Sequence, residues 1–316
     1  MEVYVVAGGG GSGRTATALN LTVALRGASR YAAVLDADLS GNVASLLDVT
    51  FDTTMGDAVA GDASVRAATV ECGLSADDLP ADDLADYREA LAVDRTGFRT
   101  GAVEESDPVT AEDEPDTDTV PVVGGWHDRA DHLSADAEAL SYALGDLSMA
   151  YEVLVVDVGN GPAAESPLLG EATGVLAVTT PDRAACEAAK EDATACARER
   201  DGVQVVGVVI NRAGEDTSIS DLTDRVGAKA LGVVPEDART AALEPVAFTL
   251  PGSPAAAAYE RLADAVLDWD GTSGLLGPTP ANRRDGPAGS DVATDGDGSE
   301  PDEEGSGGFL SRFLGR

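Results

Sequence analysis

The sequence predicts an α/β protein with one doubly wound, mostly parallel sheet and helices on both faces. Short apolar runs of strand length alternate along the chain with segments of helical period, which is typical of a parallel sheet. The first apolar run, at 3–7, leads through glycines into a helical pattern at 16–25. Acidic or polar residues follow several other runs, and parallel strands bring such ends to one edge of the sheet.

The glycine-rich loop, which reads GGGGSGRT over residues 8–15, is the most informative stretch. It has the spacing of a phosphate-binding P-loop, with Arg14 where that motif has lysine. Backbone N–H groups of such a loop converge on an anion at a helix N-terminus. Thr15 is placed to offer its hydroxyl to Mg²⁺, and Arg14 keeps the positive charge as a broad planar fork. The alternative is a glycine-rich turn that keeps this shape and binds nothing.

Acidic residues dominate the composition. The chain of 316 residues has a net charge of −36, from 57 acidic and 21 basic residues, and 43% of it is hydrophobic. Acid spread over a foldable chain favours a cytoplasm at very high salt, where charges are screened within about 3 Å at 1 M. A basic partner is the alternative. Nucleic acid is not an expected partner, because no basic stripe exists to neutralise phosphates.

Other features of the chain predict a cytoplasmic protein. Cys72, Cys186 and Cys196 lie far apart without C-x-x-C spacing, so we expect reduced, structural thiols. We identify no signal peptide before the first strand and no apolar run near the ~20 residues of a membrane span. His127 and His132 are five residues apart and do not share a helix face, so we expect no metal site there.

The remaining elements follow from the same patterns. Further strands are predicted at 31–35, 120–123, 151–156, 174–178, 203–210 and 231–234. Helices are predicted from residue 43 and at 133–149, 183–200 and 259–269. Residues 54–70 are predicted to form a compact helical connection, and residues 71–98 an acidic, weakly helical segment. We expect the sheet domain to cover residues 1–270.

Carboxylates follow two of the predicted strands. Asp36 and Asp38 come directly after the second strand, where they suit a Mg²⁺–phosphate site. Asp157 closes the most apolar strand and precedes a glycine loop, which is a Walker-B-like pattern in which the aspartate would bind Mg²⁺ through water. The alternative at each position is an ordinary polar strand end.

Two segments of the chain have no apolar period. Residues 99–119 are predicted to form a mobile acidic insertion, and residues 271–308, rich in Gly, Pro, Ser and Asp, a disordered linker.

The chain ends in a short apolar and basic tail at 309–316. A helix would place four apolar side chains on one face and Arg312 and Arg316 on the other, as in an interfacial membrane anchor. The apolar residues are Phe309, Leu310, Phe313 and Leu314. The alternatives are docking on a partner protein, packing on the chain's own domain, or an accidental apolar end.

The order of these motifs resembles the MinD/ParA family of P-loop ATPases, over nearly the whole chain except the insertion and linker. The glycine loop is similar to the family's deviant Walker A, 34–38 to its second-strand D-x-D, and 155–161 to its Walker B and switch loop. Residues 178–181 are similar to its next strand end, 207–212 to its adenine-contacting strand, and 232–237 and 251–254 to its C-terminal part. The tail is similar to the membrane-targeting tail of MinD proteins.

The resemblance implies ATP and Mg²⁺ as cofactors and assigns residues to them. The cofactor-binding residues would be Gly10, Gly11, Ser12, Gly13, Arg14, Thr15, Ala16, Asn211, Arg212 and Pro235, with Asn211 reading adenine. Thr15, Asp38 and Asp157 would hold Mg²⁺. The catalytic residues would be Arg14 and Asp38, the latter in switch I near the attacking water.

Two departures from the family set the alternatives for function. The family's P-loop lysine is Arg14 here, and its signature lysine falls on Gly9. The resemblance implies a nucleotide-dependent homodimer that lies peripherally on the inner leaflet of the cytoplasmic membrane and helps to place division or surface machinery. The alternative is a pseudo-ATPase scaffold that recruits an unknown partner protein without turnover. Two further alternatives are weaker. A DNA-partitioning ATPase would need basic patches, and an iron–sulfur carrier of the same fold would need paired cysteines, and the sequence has neither.

Overall fold

The computed structural model describes residues 1–74, 115–159, 162–199, 203–237 and 243–276. The strands are β1 (Glu2–Ala7), β2 (Ala32–Asp36), β3 (Thr69–Gly73), β4 (Thr119–Gly124), β5 (Val153–Asp157), β6 (Gly174–Thr179), β7 (Gln204–Ala213) and β8 (Ala230–Pro235). They form one eight-stranded sheet in the order β3-β4-β2-β5-β1-β6-β7-β8. Every neighbouring pair is parallel except the antiparallel pair β3–β4.

Helices cover both faces of this sheet. They are α1 (Arg14–Gly27), α2 (Asn42–Leu46), α3 (Met55–Ala60), α4 (Arg129–Leu133), α5 (Ala137–Leu147), α6 (Arg183–Glu199), α7 (Ile219–Val226), α8 (Val246–Thr249) and α9 (Pro254–Leu267). Because alternate residues of a strand face opposite sides, Tyr4 and Val6 pack in the core with α1 and α9, whereas Val3 and Val5 pack with α5 and α6. The predicted doubly wound fold is confirmed.

The predicted helical character around residue 70 is wrong, because residues 69–73 form the edge strand β3. This strand runs antiparallel to β4, with Val70 opposite Val122 and Cys72 opposite Val120. Thr69 and Val70 are β-branched and favour a strand. Pairing with the apolar strand β4 therefore decides the conformation of a segment that the sequence pattern assigned to a helical connection and an acidic, weakly helical stretch.

Helix boundaries also differ from the prediction. The helix expected at 133–149 is shorter and begins at Ala137, since Asp136 caps α5 by accepting the Ala139 N–H at 2.9 Å; the separate helix α4 ends at Leu133. α9 begins at Pro254 because Ser253 caps it through the Ala256 N–H at 3.0 Å. The sequence patterns also missed α7, although Ile219, Leu222 and Val226 recur at helical spacing, and α8, which has only four residues.

Three sequence predictions fall mostly or wholly outside the described residues. They are the insertion up to residue 114, the linker after residue 276, and the tail at 309–316. Within the described ranges, no helix is both long and apolar enough to span a membrane.

Candidate functional site

The P-loop connects β1 to α1 at the carboxyl edge of the sheet. Gly13 ends the loop in the left-handed region, at φ 89°, and a Cβ there would stand 2.5 Å from the Asn211 Nδ2 atom. Gly13 offers no side chain to cap α1, so the N–H groups of the first turn face the loop without a side-chain cap. This geometry makes the start of α1 suitable for an anion.

Arg14 is buried below this loop. It is 6% exposed, and its guanidinium Nη1 donates a hydrogen bond to the Gly159 carbonyl, beyond the end of β5. Its charge also acts on the carboxyl groups of Asp157 and Asp192. The cation that replaces the motif's lysine therefore lies between the P-loop and the loop after β5.

Thr15 and Asp157 meet directly, as a Mg²⁺ site of this type requires. The Thr15 hydroxyl donates to Asp157 Oδ2 at 2.6 Å. Burial raises the pKa of Asp157, and this rise is opposed by hydrogen bonds from Thr15 and the Gly159 N–H and by the Arg14 charge. These contacts favour the ionised carboxylate that a cation would need.

Asp36 and Asp38 lie beside Asp157. Asp36 is the register partner of Asp157 on the neighbouring strand. Burial, opposed by the hydrogen bond from the Ala44 N–H and aided by the charges of Asp157 and Asp38, raises the pKa of Asp36 to about 7. Asp38 accepts hydrogen bonds from the Ser40 N–H at 2.9 Å and from the Asn42 side chain. Three carboxylates thus converge at the ends of β2 and β5.

The site contains buried polar atoms that fit a bound Mg²⁺–nucleotide. Ser12 Oγ, Asp36 Oδ1 and Asn211 Oδ1 are buried without a hydrogen-bond partner among the described residues. Phosphate oxygens, metal-bound water and a base N–H are groups that satisfy such atoms. No set of three acidic, His or Cys side chains in the described ranges holds a metal alone. Mg²⁺ instead commonly combines one or two carboxylates with phosphate and water.

Asn211 anchors the P-loop from β7. Its Nδ2 lies 3.1 Å from the Ser12 carbonyl, 3.2 Å from the Gly13 carbonyl and 3.0 Å from the Thr17 hydroxyl. Arg212 is exposed, and Pro235 ends β8 half-buried. Recognition of adenine by Asn211 and cofactor binding by Arg212 and Pro235 stay predictions.

The apex of the P-loop faces α6 across an open depression. Gly10 and Gly11 are exposed, and Gly9 lies so close to α6 that a Cβ on Gly9 would stand 2.9 Å from the Ala188 Cβ. The depression has a volume of about 340 Å³. Ala16, just inside α1, uses its carbonyl to accept a hydrogen bond from Asn20 at 2.8 Å.

Sequence reasoning missed four residues that contact this site. They are Gly159, Asn42, Thr17 and Asp192, which accepts a hydrogen bond from the Gly8 N–H. The position of Asn42 at the start of a predicted helix was a usable signal, since it lies one turn beyond Asp38. No spacing relates Asp192 to the loop, because α6 and the P-loop meet only through the sheet topology.

The fold and the site together define a P-loop nucleotide-binding protein. Residues 3–245 match the CobQ/CobB/MinD/ParA nucleotide binding domain family, and the chain belongs to that family. The predicted membership is thus confirmed.

Relatives of the chain fall in the same group. An uncharacterised ATP-binding protein of Methanocaldococcus jannaschii is 24% identical over 277 residues, which are 84% of this chain and 88% of the relative. The septum site-determining protein MinD of Pyrococcus horikoshii, complexed with Mg-ADP, is similar at TM-score 0.60 and 23% identity, over 84% of this chain and 95% of that one. A MinC:MinD complex of Aquifex aeolicus gives TM-score 0.56 and 18% identity, over 84% and 96%. At these identities the structural likeness shows the fold.

Proposed function

We propose that this chain is a MinD-like switch protein that binds ATP with Mg²⁺ at the P-loop. The observation that carries the proposal is the 2.6 Å hydrogen bond from Thr15 to Asp157, which brings the loop and the strand-end carboxylate into one site. The unpartnered buried atoms of Ser12, Asp36 and Asn211 support it. When bound, Mg²⁺ would neutralise phosphate charge, and Thr15 and Asp157 would hold it with Asp38 nearby.

A nucleotide titration tests this proposal. Mg-ATP binding would be measured by calorimetry in molar KCl for the wild type, Arg14→Ala and Arg14→Lys. We expect the wild type to bind and the alanine variant to lose at least tenfold in affinity, since a charged hydrogen bond contributes about 1.5–3 kcal/mol. If the wild type does not bind and Arg14→Lys does, the P-loop has lost its nucleotide-binding function.

The tail at 309–316 would attach the protein peripherally to the membrane. Its four apolar residues and two arginines have the composition of an interfacial anchor. So short a helix binds a bilayer weakly, so a nucleotide-dependent dimer that presents two tails would gain through effective concentration. Such a protein would place division or surface machinery at the membrane.

Vesicle sedimentation tests the role of the tail. Anionic vesicles would be mixed with the full chain, with a chain lacking 309–316, and with Phe313→Ser; Arg312→Lys, which keeps the charge, is the matched control. We expect binding to be lost on truncation, weakened by Phe313→Ser and kept by Arg312→Lys. Equal binding by the truncated chain would overturn membrane attachment through the tail.

A pseudo-ATPase scaffold that recruits a partner protein is the second candidate. Glycine at position 9 favours it, because this position supplies no cation to a phosphate and a Cβ there would stand 2.9 Å from the Ala188 Cβ. Supplied cations accelerate phosphoryl transfer by several orders of magnitude. Steady phosphate release above that of Thr15→Ala would exclude the scaffold, whereas ATP binding without release would support it.

A further inference from the structure

Gly159 is the point at which three parts of the site meet. Its N–H donates to Asp157 Oδ1 at 3.2 Å, and its carbonyl accepts from the Arg14 guanidinium. A Cβ at this position would overlap the Asp38 carboxyl group, and the backbone has φ 68°. Glycine is therefore required both for the backbone conformation and for the close approach of Asp38.

Arg14 is the side chain that joins the P-loop to this point. It is buried, and it begins α1, whose position is fixed by packing against β1, β2 and β5. A charged hydrogen bond in a buried setting is stronger than a neutral one. A lysine side chain ends one atom short of the position of an arginine Nη, so it would not span the same distance.

We propose that Arg14 is a positioning residue that ties the P-loop to Gly159 and through Gly159 holds Asp157 and Asp38 in place. This inference rests on the proposed function in one respect, namely that phosphate binds at the loop. A phosphate there competes with the Gly159 carbonyl for the guanidinium. Binding at the P-loop would then loosen Gly159 and free Asp38 to move, so the arginine couples phosphate binding to the switch residue.

Hydrogen exchange of the Gly159 N–H tests the tie without nucleotide. Exchange of a peptide spanning 153–168 would be followed by mass spectrometry in molar KCl for the wild type, Arg14→Lys and Arg14→Met. Arg26→Lys is the matched control, because Arg26 is equally buried at the other end of α1.

We expect about tenfold faster exchange at Gly159 in both Arg14 variants, because each loses one charged hydrogen bond. In Arg26→Lys we expect the exchange rate at Gly159 to stay unchanged. An unchanged exchange rate at Gly159 in Arg14→Lys would overturn the proposed link between Arg14 and Gly159. Equal acceleration in Arg26→Lys would also overturn it, because it would show a general loosening of α1. Arg14→Lys keeps a charge and is expected to fold, so the test does not depend on the methionine variant.

Addition of Mg-ATP separates this inference from the proposed function. In the wild type we expect ATP to accelerate exchange at Gly159. In Arg14→Lys we expect ATP to bind but to change the exchange rate at Gly159 by at most a further twofold. A purely structural arginine would not produce that difference. ATP that binds without altering exchange in the wild type would overturn the coupling. Failure of ATP to bind would refute the proposed function, while the comparison of variants without nucleotide still decides the tie.

Discussion

At the scale of single residues, His132 is buried in a neutral form. Its ring stacks on Trp126 with a centroid distance of 4.5 Å, and its Nε2 lies 3.0 Å from the Ser166 hydroxyl. Burial, with a smaller contribution from the charge of Arg129, lowers the pKa of His132 to about 4. The ring therefore serves the packing around the loop after β5 while it carries no charge.

The buried histidine predicts a loss of stability in mild acid. The folded pKa lies below the unfolded value, so the stabilisation is present above about pH 6.5 and disappears as pH falls toward 4, by on the order of 2 kcal/mol. Denaturant unfolding from pH 7 to 4 would measure it. His132→Gln should lack this part of the pH dependence, and His127→Gln, at an exposed histidine, should keep it. Parallel pH curves for wild type and His132→Gln would contradict the account.

The conformation of Gly13 predicts a second effect at this scale. Alanine at this left-handed position, 2.5 Å from the Asn211 amide, should destabilise the protein by about 1–3 kcal/mol and weaken ATP binding. Gly27→Ala, at the other end of α1 with no atom within 4 Å of its Cβ, should be neutral or slightly stabilising. Unfolding curves for both variants check this, and equal effects would contradict the role of the loop conformation.

At the scale of elements, Arg26 fastens the C-terminal end of α1 to the start of β4. Its guanidinium donates to the carbonyls of Ala32 and Asp116, the second at 2.5 Å, and lies 3.4 Å from the Thr119 hydroxyl. The two ends of α1 thus carry two buried arginines with different partners. Arg26 connects the helix to the point where the chain returns from the acidic insertion.

Removing the hydrogen bonds of Arg26 should clearly destabilise the protein. Arg26→Met leaves the buried Ala32 carbonyl and the partly buried Asp116 carbonyl without their donor and should lower the free energy of unfolding by about 2–4 kcal/mol. Arg30→Met is the control, since its ion pair with Glu152 is partly exposed and should contribute less than about 1 kcal/mol. Guanidinium titrations would compare the two, and a smaller effect of Arg26→Met would contradict the assignment.

The elements that the sequence predicted correctly share a simple cause. The central strands are buried on both faces and therefore read as continuous apolar runs. β3 was missed because an edge strand is buried on one face only, as the single buried residue Cys72 shows. α8, with four residues, has too few turns for a period to emerge.

The residues of the candidate site could be predicted where they belong to a local sequence motif. Thr15, Asp38 and Asp157 stand directly after strands or in the glycine loop, so order along the chain places them at one edge. The partners of Arg14 were not predictable, because Gly159 and Asp192 reach it from two other elements. Their approach depends on the strand order and not on any spacing in the sequence.

At the scale of the whole molecule, the net charge of −36 predicts salt-dependent stability. Screening extends over about 10 Å at 0.1 M salt and about 3 Å at 1 M, so repulsion between the acids should grow as salt is removed. The melting temperature should rise steeply with KCl and much less with sucrose, which does not screen charge. A melting temperature independent of KCl would favour a basic partner as the reason for the acidity.

The most direct test of the account is the Mg²⁺ dependence of ATP binding by the full chain. ATP affinity would be measured with Mg²⁺ and with chelator, for the wild type and for Asp157→Asn, which keeps an acceptor for the Thr15 hydroxyl. We predict that Mg²⁺ strengthens binding at least tenfold in the wild type and has no such effect in Asp157→Asn. A wild type that binds no ATP under either condition would contradict the account, and so would a Mg²⁺ effect that Asp157→Asn retains in full.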